Sequence, residues 1–270
     1  MPRDSRYPGG KIAWIAGGVS VKRFLATAAA IVLCNAPALA ASPPVFNWTG
    51  FYVGGHIGSG VQDGQLSGLP AGSTFGIPVV TVVPTPPIAF HSNGVVAGGQ
   101  LGYNVQWLSN WVAGVEADFS HSHSSSSGAF SIPGFPFPGP NGTAEFKTDS
   151  LATLRGRLGY AAGNLLFYGT GGLAWTRASL TTSGSTFCFC IPFFIGFVPF
   201  ASSDSRWVQG WTAGGGVDYA FAPNWFVRLE YLRVDFGTKN FTVDPALGST
   251  LPLASRFDVV RFGLNYKFGN

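Results

Sequence analysis

Along residues 51–57 the side chains Phe51, Val53, Gly55 and Ile57 alternate with Tyr52, Gly54 and His56, the two-residue period of a strand with one apolar and one wetter face. The same pattern is longer over residues 95–107, where Val95, Ala97, Leu101, Tyr103, Val105 and Trp107 oppose Gly98, Gln100, Asn104 and Gln106. A tight turn at Leu108, Ser109 and Asn110 leads into Trp111, Ala113, Val115, Ala117 and Phe119, set against Glu116, Asp118 and Ser120, so these two strands are antiparallel neighbours. Residues 152–160 alternate again, turn at 161–164 and continue into a strand over 165–176 whose phase the pattern leaves open. A further hairpin joins residues 211–221 to 225–231 through a turn at 222–224. The last strand sets Val260, Phe262, Leu264, Tyr266 and Phe268 opposite Arg261, Gly263, Asn265 and Lys267. The total is eight strands, with short connections at 108–110, 161–164 and 222–224 and long ones at 60–92, 121–147, 178–205 and 237–255. An even strand number with alternating short turns and long loops is the signature of an all-β, eight-stranded antiparallel transmembrane barrel with short periplasmic turns. Trp48, Trp107, Trp111, Trp207, Trp211 and Trp225 fall near strand ends, where a headgroup-level aromatic girdle would sit.

Composition sharpens this reading. Aromatics make up 15% of the chain and charged residues only 10%, and 38 Gly with 19 Pro disfavour a helical bundle. The position of the charges separates a membrane barrel from a soluble one. A soluble carrier turns its polar face to water, whereas here the polar face is small and Gly-rich and carries charges of both signs. An eight-stranded lumen is about wide enough for side chains to fill it. Glu116, Asp118, Arg155, Arg157, Asp218, Arg228, Glu230, Asp258, Arg261 and Lys267 are therefore expected to pair inside and plug the barrel.

The net charge of +4 belongs to the front of the chain: the first 40 residues hold five basic residues against Asp4, leaving eleven of each sign over residues 41–270. A neutral remainder argues against a nucleic-acid partner. Lys22 and Arg23 precede the apolar run 24–33 and then Ala38, Leu39 and Ala40, the small-x-small pattern of a signal-peptidase site, which places cleavage between Ala40 and Ala41. Residues 1–40 are thus expected to be a signal peptide and 41–270 the barrel domain. Val21 stands directly before Lys22, which suggests it as the true start codon, with residues 1–20 a mis-assigned extension.

Residues 47–58 (NWTGFYVGGHIG), 153–160 (TLRGRLGY), 168–174 (YGTGGLA), 210–219 (GWTAGGGVDY) and 227–237 (VRLEYLRVDFG) resemble the small porin-like outer-membrane proteins of alphaproteobacteria, the group of outer-membrane immunogenic and hemin-binding proteins. The resemblance covers nearly all of the mature chain and implies an envelope protein in the cell outer membrane. Val260, Phe262, Leu264, Tyr266 and Phe268 resemble the C-terminal signal read by the barrel-insertion machinery, although Gly269 and Asn270 follow the expected terminal Phe.

Few residues suggest further chemistry. His121 and His123 fall on one side of an extended segment, a spacing that can hold a metal or approach heme iron, but no third ligand is evident. His56 reads as a lumen hydrogen-bonding residue. Cys188 and Cys190 lie in the apolar stretch 187–200, with free thiols, a strained bridge and metal binding all open. No catalytic assembly is recognisable and no cofactor is expected. The sequence thus points to a non-enzymatic barrel with a structural or surface role and at most limited small-solute passage, in contact with lipid and lipopolysaccharide. The alternative is a surface receptor that binds heme, a host-surface ligand or a hydrophobic partner through its long loops, using His121, His123 and residues 193–200.

Overall fold

The computed structural model describes residues 46–66, 74–75, 80–82, 88–131, 134–135, 141–190, 194–244 and 249–269. The expected signal segment, the Ala40–Ala41 cleavage site and Val21 lie outside these residues. Eight strands close into an antiparallel barrel: β1 (Gly50–Leu66), β2 (Ile88–Trp107), β3 (Trp111–Ser131), β4 (Asn141–Ala162), β5 (Leu165–Cys190), β6 (Phe194–Ala222), β7 (Trp225–Asp244) and β8 (Ser249–Lys267). Sequence neighbours pair with one another and β1 closes on β8, with Tyr52 opposite Lys267 and Ile57 opposite Phe262. Closure leaves no free edge at membrane depth, as hydrocarbon requires. A separate small sheet joins Thr74–Phe75, Val80–Val82 and Gly134–Phe135.

The outward residues are predominantly apolar over a band of fixed height. On β1 it runs from Phe51 through Val53 and Ile57 to Val61, after which Asp63 appears on the same face. Ten residue steps of roughly 3.3 Å, tilted by about 40°, span about 25 Å, the height of an outer-membrane hydrocarbon band. At its periplasmic edge Phe51 packs on Tyr103 at 4.5 Å, Trp111 on Tyr160 at 5.8 Å, and Trp225 on Tyr266 at 5.1 Å, forming an aromatic girdle. The phase of β5, open in the sequence, is fixed by its exposed residues: Leu165, Phe167 and Leu173 face outward, while Leu166, Tyr168 and Ala174 face inward. Trp48 departs from the girdle expectation. It lies before β1 and tucks into the lumen, fully buried against Phe46 and Phe226 at 4.7 and 5.6 Å, because its backbone N–H donates to Gln106 Oε1 at 2.9 Å and holds the segment inside.

The outer connections are long, but much of their length is strand. Beyond the apolar band the ladder continues with polar residues on its outer face, for example Asn141, Thr143, Glu145 and Lys147 opposite Ser185, Ser183, Thr181 and Ser179 between β4 and β5. Strand pairing thus outlasts the apolar alternation, so the sequence pattern alone marks only the membrane-facing part of each strand.

Above the band the closed barrel divides. The β6–β7 ladder ends at Trp211↔Asp235 and the β2–β3 ladder at Val96↔Ser122, although all four strands continue. Among the described residues no ladder pair joins them further out. The remaining pairs define two four-stranded sheets, β2-β1-β8-β7 and β3-β4-β5-β6, facing each other. Each seam begins at a register irregularity, between His121 and Ser124 in β3 and between Asp235 and Thr238 in β7. In β7 the extra residues include Gly237 at φ +62°, whose N–H donates to Asp235 Oδ1 at 2.7 Å. A bulge with a left-handed glycine bends its strand and increases local twist, which carries β7 away from β6. Phe90, Phe146 and Phe241 fill the space between the sheets, with Phe146 at 6.2 Å from Phe90 and 6.4 Å from Phe241.

Candidate functional site in the barrel lumen

Period-two alternation turns one residue in two toward the lumen, and every barrel strand contributes a polar one at the same level. In-register neighbours already match charge: Glu116 on β3 faces Arg155 on β4, Asp218 on β6 faces Arg228 on β7, and Glu230 on β7 faces Arg261 on β8. Arg228 grips Asp218 through Nε–Oδ1 at 2.8 Å and Nη2–Oδ2 at 3.1 Å, and its Nη1 donates across the lumen to Glu116 Oε2. Arg155 donates to Glu116, to Asp118 at 2.9 Å and to Glu230 at 3.0 Å. Arg157 reaches Asp218 at 2.6 Å and lies 3.9 Å over the Tyr168 ring. Arg261 pairs with Glu230 at 2.6 Å and with Asp118 at 3.2 Å. Four guanidinium groups therefore meet four carboxylates, all but dehydrated, in a net-neutral plug.

Neutral groups complete the lattice. The Tyr52 hydroxyl donates to Glu116 and accepts from Arg157 at 3.1 Å, Tyr168 donates to Glu230 at 2.9 Å, and Thr153 donates to Asp118 at 2.5 Å. His56 lies between Gln100 at 3.0 Å and Ser120 at 2.8 Å, and Gln100 donates on to Asn265 at 2.5 Å. Buried charge is costly unless its hydrogen-bonding capacity is met, which this arrangement largely achieves. Apolar layers bound it on both sides. Trp48, Phe46, Phe226 and Leu166 form a floor on the periplasmic side, and Leu232, Val234, Phe257 and Val259 begin the core between the outer sheets.

Two residues assigned to this network from the sequence stand elsewhere. Asp258 shares the parity of Val260 and Phe262, so it faces outward; it accepts from the Tyr231 hydroxyl at 2.7 Å, beside Arg233 in register. Lys267 does face inward, but at the periplasmic end, where Nζ donates to the carbonyls of Gly269 at 2.9 Å and Thr49 at 3.4 Å rather than to a carboxylate. Conversely, Tyr52, Tyr168, Thr153 and Gln100 were missed as members. Their signal was parity with the charged or polar residues of the same or the neighbouring strand.

Of the histidine pair, His121 is exposed on the outer face of β3, the next residue, Ser122, is buried inside, and a register irregularity follows before Ser124. The side chains of His123, Cys188 and Cys190 lie outside the described residues. Among the described residues no group of three or more His, Cys, Asp or Glu is placed to hold a metal. In the C-terminal strand Val260, Phe262, Leu264 and Phe268 face outward, and the Phe268 N–H bonds to the Phe51 carbonyl at 2.7 Å, closing the ring next to the first strand.

An eight-stranded ring with an apolar outer band, an aromatic girdle and a charge-filled interior defines an outer-membrane β-barrel. The chain belongs to the outer membrane protein beta-barrel domain family, whose model matches residues 26–268. It is 35% identical over 260 residues to the 31 kDa outer-membrane immunogenic protein of Brucella melitensis, covering 92% of this chain and 97% of that one. It is 25% identical over 232 residues to the 25 kDa outer-membrane immunogenic protein of Brucella abortus, covering 86% and 84%. Among solved structures, the Pseudomonas aeruginosa outer membrane protein OprG is 13% identical with a TM-score of 0.47, covering 83% of this chain and 99% of that one.

Proposed function

We propose that this protein is a closed structural barrel that presents its outer sheets at the cell surface and does not serve as an open pore. The observation that carries the reading is the dehydrated lattice of Arg155, Arg157, Arg228 and Arg261 with Glu116, Asp118, Asp218 and Glu230, bounded by apolar layers. A permeating ion would have to displace paired charges and then cross an apolar layer, each step unfavourable. The function therefore lies in the surface extension and in the lipid-facing band, consistent with relatives named as outer-membrane immunogenic proteins. Swelling of proteoliposomes in sugars of graded size tests this: no uptake above lipid alone is expected, and size-dependent uptake contradicts it.

A second reading, a surface receptor, draws support from Phe197 and Val198, exposed near the outer end of the β5–β6 hairpin. Apolar side chains clustered at a tip are suited to a hydrophobic partner. For a heme ligand, His121 and His123 are the candidate contacts, and hemin titration of the H121A/H123A variant measures it: unchanged binding excludes them.

A further inference from the structure

The two seams above the membrane band are not equivalent. At the β2–β3 seam the strands stay in side-chain contact: a Cβ on Gly128 would meet Ile88 Cγ2 at 2.9 Å, and Ser92 Oγ donates to the Ser125 carbonyl at 3.1 Å. At the β6–β7 seam a narrow crevice, closed down to room for about one water molecule, lies between the sheets, lined by Phe146, Ala178, Val208, Phe236, Phe241 and Leu253. Lys239 lies at the same opening. Arg206, on the inward face of β6, stacks on one of the lining residues, with its guanidinium carbon 4.1 Å above the Phe241 ring.

Arg206 is in an unusual position for a charged residue. Its Nε and Nη2 are buried and have no hydrogen-bond partner, in contrast to the four lumen arginines, each of which is paired with carboxylates. Buried guanidinium donors left unmet are costly, and an anion at this spot would meet two of them at once. The cleft wall beneath is aromatic and aliphatic. Because among the described residues no ladder bond crosses the seam, a guest can part the sheets there without breaking strand pairing.

We propose that the β6–β7 seam binds a small amphiphilic carboxylate, such as a medium-chain fatty acid. With the two sheets parted, its apolar body lies between Phe146, Phe241 and Val208, and its carboxylate pairs with Arg206 Nε and Nη2, with Lys239 adding positive charge at the mouth. The chemistry of the lining fixes this class: an uncharged hydrocarbon leaves Arg206 Nε and Nη2 unmet, and a small hydrophilic anion buries none of the apolar wall. The seam opens just above the apolar band, where an amphiphile in the outer leaflet holds its headgroup. This site is independent of whether the lumen conducts.

Full-length mature barrel in nanodiscs, shown to be folded by its heat-dependent gel mobility, is titrated with decanoate and with decan-1-ol. Saturable decanoate binding is expected, weakened about tenfold or more by Arg206→Gln, the span of one charge-assisted hydrogen-bonding group. Decanol should bind more weakly and be indifferent to that substitution. Ala178→Phe, which fills the cleft, should abolish saturable binding of both. Non-saturating partition alone, or decanoate binding unchanged in Arg206→Gln, overturns the proposal.

Discussion

Arg228 on β7 and Glu116 on β3 hydrogen-bond across the whole lumen, from strands four places apart in a ring of eight. Arg228 is held at the same time by Asp218 on the adjacent strand, so one guanidinium ties a local ladder pair to the far wall. Such a residue braces the barrel across its lumen as well as filling it.

Because the network is buried, removing one member leaves its partners charged and dehydrated. Glu116→Gln strips a carboxylate shared by Arg155, Arg157 and Arg228, and should destabilise the barrel by about 3–5 kcal/mol. Urea unfolding followed by gel mobility measures it. A loss below about 1 kcal/mol would mean that water, not Glu116, satisfies those arginines.

Asp258→Asn provides the contrast. On the outer face it loses only a hydrogen bond from Tyr231, so the expected cost is within about 1 kcal/mol in the same assay. A loss as large as that of Asp218→Asn would place Asp258 in the lumen after all.

Trp48 is the keystone of the periplasmic floor, in edge-to-face contact with Phe46 and Phe226. Trp48→Ala should cost about 3–5 kcal/mol and leave a cavity below the ion lattice. Its indole in the wild type should be shielded from aqueous iodide, unlike the girdle tryptophans Trp111 and Trp225, and comparison of quenching in single-Trp variants checks that placement.

Gly237 sits at φ +62° where β7 leaves β6. A β-branched residue there is strained by about 1–3 kcal/mol, whereas Asn tolerates the conformation. Gly237→Val is expected to destabilise and Gly237→Asn to be nearly neutral, by the same unfolding assay. Equal effects would show that the bulge does not depend on the left-handed turn.

The membrane-facing half of this architecture is legible in the sequence because hydrocarbon enforces it: the outward parity of residues 51–61 and 260–268 is dominated by apolar residues, with Ser59 the exception on β1, and the opposite parity collects the charges. Charge pairing follows from the same parity, and Glu116, Arg155, Asp218, Arg228, Glu230 and Arg261 can be assigned inward by counting. Asp258 was grouped with them by charge although its parity with Val260 points out. The outer sheets escape such reading, since their exterior meets water and Ser or Thr suffices there. The seams escape for another reason: a ladder ends where two strands diverge, and only the register around Gly237 and His121 records that. Trp48 was misplaced because its position is set by a hydrogen bond to Gln106, distant in sequence.

Single-channel recording in a planar bilayer tests the closed lumen most directly. The unmodified mature barrel should be silent, and the Arg155→Gln, Arg157→Gln double variant, still folded by gel mobility, should show discrete openings. A steady, salt-dependent conductance in the unmodified protein would contradict the plugged lumen and make this barrel a small pore.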